Sequence, residues 1–160
     1  MPKTRSKTLT AIDLLKEDHD KVKKAFKEFE KLDRSDTETC RQLVRSVCDD
    51  LRVHTTLEEE IFYPAVREAI EDEDIMNEAS VEHETAKTLI EQLDNMEPDD
   101  PNYSATFTVL GEYVLHHVKE EEGEMFPQAK KAKELDLQAL GEQMRARKEE
   151  LMADVEKAAA

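Results

Sequence analysis

The chain has 160 residues and a formal net charge of −16, with 39 acidic residues, 23 basic residues and only 3 glycines. This length is enough for one domain with a sizeable core, and many charged residues with few glycines favour long helices. The negative charge repels phosphate backbones and anionic lipids, so neither nucleic acid nor a membrane is expected as a partner. Segment 1–10 is basic without the apolar run of a secretory signal, and no membrane-length apolar stretch follows, which predicts a soluble, cytoplasmic protein.

The first predicted helix begins after Thr10, because Thr10 and Asp13 have the spacing of a capping box, and it runs to about Leu32. Its apolar residues recur every three or four positions, as on a helix with one face in a core. They are Ile12, Leu15, Val22, Phe26 and Phe29. His19 falls within this stripe and is therefore predicted to point inward.

The second predicted helix follows the polar stretch 33–37 and also carries polar residues on its apolar face. The inward positions are Leu43, Val47, Leu51, His54, Glu58, Ile61 and Ala65. Cys40 and Cys48 are about 12 Å apart along this helix, too far for a disulfide, and are predicted to be buried apolar residues. Pro64 is expected to kink or end the helix.

The third predicted helix spans about 74–96 and ends before the proline-containing stretch 97–101. Its inward stripe comprises Met76, Ala79, His83, Ala86, Ile90 and Leu93. Here, too, a histidine lies in the middle of an apolar face.

The fourth predicted helix begins near Tyr103, with Phe107, Leu110, Val114, His117 and Glu121 in register. His116 is rotated by about 100° from this face, so it is expected to lie outside the ligand set and remains only a fallback ligand. Pro127 should end the helix. The charged segment after it is predicted to form a fifth, peripheral helix, with 1–130 as a four-helix bundle and 131–160 as an added C-terminal helix of the same domain.

Two copies of one motif indicate the chemistry. His54, Glu58 and Pro64 have the same spacing as His117, Glu121 and Pro127, with an aromatic residue before each proline. A histidine and a glutamate four residues apart lie about one helical turn apart on one face, where both can bind a metal. Acidic-His-acidic triplets centred on His19 and His83 precede the two copies by 35 and 34 residues, measured between histidines.

Four histidines and two glutamates exceed what one tetrahedral zinc ion uses, and they suit two metals that share bridging carboxylates. Mixed imidazole and carboxylate ligands favour iron or manganese. The acidic neighbours of the ligands are candidates for orienting the imidazole rings. These neighbours are Asp20, Glu59, Glu84 and Glu122.

The motifs resemble those of the hemerythrin-like family, also called HHE cation-binding domains, over about 12–130. The resemblance implies an all-α, up-down-up-down four-helix bundle with a non-haem di-iron centre, oxo- or hydroxo-bridged, with Glu58 and Glu121 as bridges. The implied metal ligands are His19, His54, Glu58, His83, His117 and Glu121. Oxygen-carrying members of the family place a further histidine where this chain has Lys87, so each iron should have an open position.

Three functions agree with these features. The first is a di-iron protein that binds dioxygen or related small oxidants for sensing, storage or detoxification. The second is a di-iron enzyme that breaks down hydrogen peroxide, and the third is an iron-buffering or structural metal bundle. Tyr113, four residues before His117, is a candidate for hydrogen bonding to a bound oxygen species or for metal ligation, or else an ordinary core aromatic.

Overall fold

The computed structural model describes residues 9–159, and these form five helices joined by short loops. Helix α1 spans Ala11–Lys31, α3 spans Glu73–Asp94 and α5 spans Leu137–Ala159. Helix α2 comprises Thr37–Leu57, a π-helical turn at Glu58–Phe62 and a last α-helical part at Tyr63–Ala69. Helix α4 comprises Tyr103–Glu120, a π-helical turn at Glu121–Met125 and Phe126–Lys131. Segment 1–8, which contains most of the basic N-terminal stretch, lies outside the described residues, as does Ala160.

Side-chain caps start the first three helices. The Thr10 hydroxyl accepts a hydrogen bond from the Asp13 N–H, and the Asp13 carboxylate accepts one from the Thr10 N–H. This reciprocal pair satisfies two backbone donors that the first helical turn leaves without partners. The side chains of Asp36 and Asp72 each accept a hydrogen bond from a backbone N–H in the first turn of α2 and α3, respectively. The predicted start of α1 is therefore confirmed.

Helices α1–α4 form the up-down-up-down bundle, and its core consists of two apolar clusters separated by a polar layer. On α1, Leu15 belongs to one cluster and Val22 to the other, with His19 between them. The order is reversed on α2, where Leu51 precedes His54 and Phe62 follows it. This reversal is what antiparallel neighbours require, and it brings the histidines of all four helices to one level.

The π-helical turns alter which residues of α2 face inward. The prediction placed Ile61 and Ala65 in the core, but Phe62, Tyr63 and Val66 are buried instead. The Tyr63 N–H donates to the Glu58 carbonyl five residues earlier, so the turn holds one residue more than an α-helical turn. The helix therefore continues through Pro64 to Ala69, and the expectation that Pro64 kinks or ends it is replaced by a widened turn just before the proline.

The same arrangement occurs in α4, which continues through Pro127 to Lys131. The fifth helix consequently begins later than the sequence pattern indicated, at Leu137. It packs against α1 and α2 and buries Met144 completely. Cys40 and Cys48 are both buried and free, as predicted.

A Cβ at Gly141 would lie 2.6 Å from the Leu9 carbonyl oxygen, so this glycine lets α5 approach the start of α1. Among residues 9–159, none of the helices combines the length and apolar character that crossing a membrane requires.

Candidate metal centre

The six predicted ligand side chains meet in the polar layer of the bundle. All are buried, with at most 9% of any residue exposed. They form two groups of three, and the ligand atoms in each group lie within 4.8 Å of one another. The first group is His19, His54 and Glu121. The second group is Glu58, His83 and His117.

Each glutamate contacts histidines of both groups. Glu58 Oε1 lies 3.0 Å from His54 Nε2 and 3.2 Å from His83 Nε2. Glu121 Oε1 lies 3.2 Å from His19 Nε2, while Glu121 Oε2 lies 3.0 Å from His117 Nε2. A carboxylate placed between two sets of imidazoles is positioned to bridge two metal ions.

Several atoms of this set lack the partners that buried polar atoms normally have. Within residues 9–159, Glu58 Oε2 has no hydrogen-bond partner, and His19 Nε2 and Glu121 Oε1, although 3.2 Å apart, have no hydrogen bond to each other or to another group. Leaving a buried donor or acceptor unpaired costs about 1 to 3 kcal/mol per group. A metal ion at each group would provide the missing partner, and nitrogen and carboxylate oxygen donors suit such an ion. The residues present therefore fit a two-metal centre.

Carboxylates orient the rings of two histidines through the nitrogen that faces away from the centre. His54 Nδ1 lies 3.0 Å from Asp18 Oδ2, and His117 Nδ1 lies 3.2 Å from Glu82 Oε1. Each contact holds Nε2 of the ring towards the centre, as is usual for histidines that bind metals. Asp18 and Glu82 are the acids that precede His19 and His83, and each serves a histidine of another helix.

The four acids chosen from the sequence behave differently from one another. Glu122 lies 3.6 Å from His19 Nδ1 and Glu59 lies 3.9 Å from His83 Nδ1, both beyond hydrogen-bond distance. Asp20 is exposed, and Glu84 pairs with Lys87. The sequence does not show which neighbour of a histidine faces the next helix, because the packing of the helices decides it.

Buried opposite charges shift the titration of the set. Burial by itself would lower the pKa of His54, but the Glu58 carboxylate and the hydrogen bond with Asp18 raise it to about 10. The pKa of His117 is raised to about 11, since hydrogen bonds with Glu121 and Glu82 outweigh burial. Burial favours the neutral form of Glu58, yet His54 and His83 hold its pKa well below the usual range. Without metal, His54 and His117 are therefore imidazolium groups near neutral pH, and Glu58 is a carboxylate.

Tyr63, like Asp18 and Glu82, was not among the residues predicted from the sequence. Its hydroxyl donates a hydrogen bond of 2.5 Å to Glu121 Oε2, and its oxygen lies 3.2 Å from both His83 Nε2 and His117 Nε2. Burial and the Glu121 and Glu58 carboxylates raise the pKa of this phenol well above its ordinary value. A neutral hydroxyl is therefore fixed beside the second group.

The signal for Tyr63 was present in the repeat, where an aromatic residue precedes each proline. In the second copy this residue is Phe126, which stacks on His19 with ring centroids 6.0 Å apart. Tyr63 stacks on His83 at 5.1 Å. The two halves thus share an aromatic contact and differ by one hydroxyl group.

A cavity adjoins the histidines, and Tyr63 does not line it. Its apolar lining includes Val22, Leu51, Ala86, Val114 and Val118, and all four histidines of the two groups border it. Space of this kind admits a small molecule next to the metal positions.

The other residues singled out from the sequence lie at the edge of the centre or outside it. Tyr113 is 46% exposed and borders the cavity, so it is not buried among the ligands as Tyr63 is. The His116 side chain is 62% exposed and pairs with Glu120, in agreement with its predicted outward position. Lys87 points to Glu59, with Nζ 2.6 Å from Oε1.

Comparisons with known proteins agree with this geometry. A model of the hemerythrin HHE cation-binding domain matches residues 10–129. A hemerythrin HHE cation-binding domain-containing protein from Mycobacterium kansasii has a similar crystal structure, with a TM-score of 0.76, 24% identity, and coverage of 91% of this chain and 89% of that one. A protein named DNA nickase from Nostoc sp. strain PCC 7120 is 30% identical over 114 residues. Those residues are 71% of this chain but only 32% of that relative.

Proposed function

This chain belongs to the hemerythrin HHE cation-binding domain family, and we propose that it holds two iron ions and binds dioxygen or a related small oxidant at them. The first ion would be held by His19, His54 and Glu121, and the second by Glu58, His83 and His117. Glu58 and Glu121 would bridge the two. The observation that carries the proposal is that each glutamate lies about 3 Å from histidines of both groups.

Bound iron would supply the redox chemistry and the open positions at which a small oxidant binds. The protein residues would control what reaches those positions. Charged side chains such as Asp18 and Lys148 also border the cavity, but its apolar part, which includes Val22, favours a small molecule without charge, because apolar walls offer little to replace the hydration of an ion. Dioxygen and hydrogen peroxide both meet that condition.

Breakdown of hydrogen peroxide is a second candidate, and Tyr63 favours it. A neutral phenol hydrogen-bonded to Glu121 is placed to donate a hydrogen bond or a proton beside the second group. Lys87 also fits this function, since its contact with Glu59 keeps it out of both groups, so each ion would have two histidines and the two shared carboxylates as protein ligands. Equal groups with open positions suit a reactive centre better than reversible oxygen carriage.

DNA nicking is not part of the proposal. The name belongs to a relative of which this chain spans 32%, and a net charge of −16 disfavours contact with a phosphate backbone.

Metal content and the visible spectrum test the proposal. Protein expressed with iron should contain two irons per chain and show oxo-bridged ferric bands in air. Release of oxygen after addition of hydrogen peroxide would favour the enzyme, and a bleached or shifted spectrum without oxygen release would favour the binding protein. One zinc per chain, or no bound metal, would contradict both.

Substitution of the bridges sharpens this test. Glu58→Gln and Glu121→Gln should each lower iron content below two per chain, because each removes a carboxylate that both ions share. Glu60→Gln and Glu124→Gln are matched controls, since both residues lie in the same π-helical turns but are exposed. Retention of two tightly bound irons in either bridge variant would count against the assignment.

A further inference from the structure

A residue of the C-terminal helix contacts the metal centre through one intervening side chain. His54 Nδ1 lies 3.0 Å from Asp18 Oδ2, and the other oxygen of this carboxylate, Oδ1, accepts a hydrogen bond of 2.5 Å from Lys148 Nζ. Lys148 lies on α5, beyond the family match at 10–129. The general ligand pattern of the family therefore does not account for this contact.

The contact fixes the Asp18 carboxylate in one orientation. One oxygen serves His54 and the other serves Lys148, and the Asp18 side chain is only 14% exposed. A partly buried ion pair of this kind is screened less by solvent than one on the surface. The His54 ring is in turn held with Nε2 towards Glu58 Oε1, at 3.0 Å.

Among the described residues, the helix pair α3 and α4 has no equivalent of the contact from Lys148 through Asp18 to His54. Glu82 takes the place of Asp18 and contacts His117, but its other oxygen lies 3.9 Å from Nε2 of His116, an exposed side chain of α4. The internal repeat is therefore broken at this point. The hydrogen bond of Lys148 leads, through Asp18, to His54 in the first group.

Packing against the bundle fixes the position of α5 near Lys148. Met144, one turn earlier, is completely buried, and Gly141 lies against the backbone at the start of α1. Lys148 and Met152, one turn apart on α5, also border the cavity beside the histidines. The C-terminal helix thus contributes to the surroundings of the first metal position.

We propose that Lys148 is a positioning residue for the metal held by His19, His54 and Glu121, and that it acts by fixing Asp18. The inference rests on the proposed function, since it requires a metal at that group. Because Lys148 contacts only one of the two groups through such a carboxylate, the protein should hold the two ions with different strength.

The test follows iron release from anaerobically loaded full-length protein to an excess of a coloured ferrous chelator. In Lys148→Met, one of the two irons should leave about tenfold faster or more, as is usual when a group that orients a ligand is removed, while the other leaves at the wild-type rate. Arg147→Met is the matched control, because it removes the same charge from the neighbouring residue, which contacts Glu60 instead of Asp18. Lys148→Arg should restore slow release.

A double-mutant cycle with Asp18→Asn separates positioning from a general effect on the fold. If Lys148 acts through Asp18, adding Lys148→Met to Asp18→Asn should accelerate release little further. Additive effects, equal acceleration in Arg147→Met, or acceleration of both irons together would overturn the inference. Failure of the wild-type protein to retain two irons would overturn the proposed function as well, so the two failures are distinguishable.

Discussion

The Tyr63 hydroxyl donates a hydrogen bond of 2.5 Å to Glu121 Oε2, which joins the end of α2 to a ligand on α4. Tyr63→Phe places in the first copy of the motif the residue type that the second copy has at the equivalent position, Phe126. Loss of this hydrogen bond should lower the free energy of unfolding by about 1 to 3 kcal/mol. If the protein breaks down hydrogen peroxide, removal of the proton donor should slow oxygen release by about a hundredfold or more.

Tyr103→Phe is the control for that variant, because Tyr103 is also buried but lies in the apolar cluster away from the centre. It should leave oxygen release unchanged. Wild-type oxygen release in Tyr63→Phe would assign Tyr63 a structural role only. The measurement is the initial rate of oxygen release, together with iron content.

The metal-free protein should become less stable as pH rises from about 7 to about 10. The folded-state pKa is about 10 for His54 and about 11 for His117, above the ordinary value of 6.5. The folded protein therefore keeps protons that the unfolded chain releases above pH 6.5. The resulting stabilisation is complete below that pH and is lost as pH rises through 10 to 11. Thermal unfolding of metal-free protein across this range would show the decrease in Tm.

Metal binding should show the opposite dependence. An imidazole must be neutral to bind a metal, so loading should release protons and metal affinity should increase with pH over the same range. Calorimetric titration in buffers with different ionisation enthalpies measures the protons released. His54→Gln should reduce proton release and His116→Gln should not, because His116 lies outside the two groups. Release that is equal in both variants would contradict this explanation.

Filling the cavity should hinder small ligands without removing the metals. Ala86 borders the cavity one turn after His83, and Ala86→Leu would place three additional carbon atoms in that space. Binding of nitric oxide, an uncharged ligand, to the ferrous-loaded variant, followed by visible absorption, should be weaker or slower than in wild type. Val81→Leu, an exposed position on the same helix, should behave as wild type. Unchanged nitric oxide binding in Ala86→Leu would show that ligands reach the metals by another route.

Substitution of Gly141 should loosen the C-terminal helix. A Cβ there would lie 2.6 Å from the Leu9 carbonyl oxygen and 2.8 Å from the Ala11 nitrogen, and backbone atoms cannot move away as a side chain can. Gly141→Ala should therefore increase hydrogen exchange in α5, even though alanine favours helix. Gly123→Ala is the control, since its Cβ would have nothing within 4 Å, and it should change stability by about 1 kcal/mol at most. Slow exchange of α5 in Gly141→Ala would show that the contact is not close in solution.

The sequence allowed the helices and the inward direction of the six candidate ligands to be predicted, because both depend on local spacing. His19, His83 and His117 each replace one apolar residue in a regular stripe, so their inward direction follows from the helical period. Contacts between helices were not predictable in the same way. Lys148 and Asp18 are separated by 130 residues, and no local pattern connects them. Tyr63 was missed for another reason, since a π-helical turn shifts the buried face by one residue and regular spacing cannot indicate that shift.

The two π-helical turns also bear on the history of the chain. Each amounts to an α-helix with one residue inserted, and the widened turn begins at the equivalent glutamate in both helices, Glu58 in α2 and Glu121 in α4. If the two halves descend from a duplicated helix pair, the inserted residue was already present in the ancestral pair. Two copies of that ancestor would have associated symmetrically around the same glutamates. The differences between the halves, including Tyr63 opposite Phe126, would then be later specialisations of two sites that began as equals.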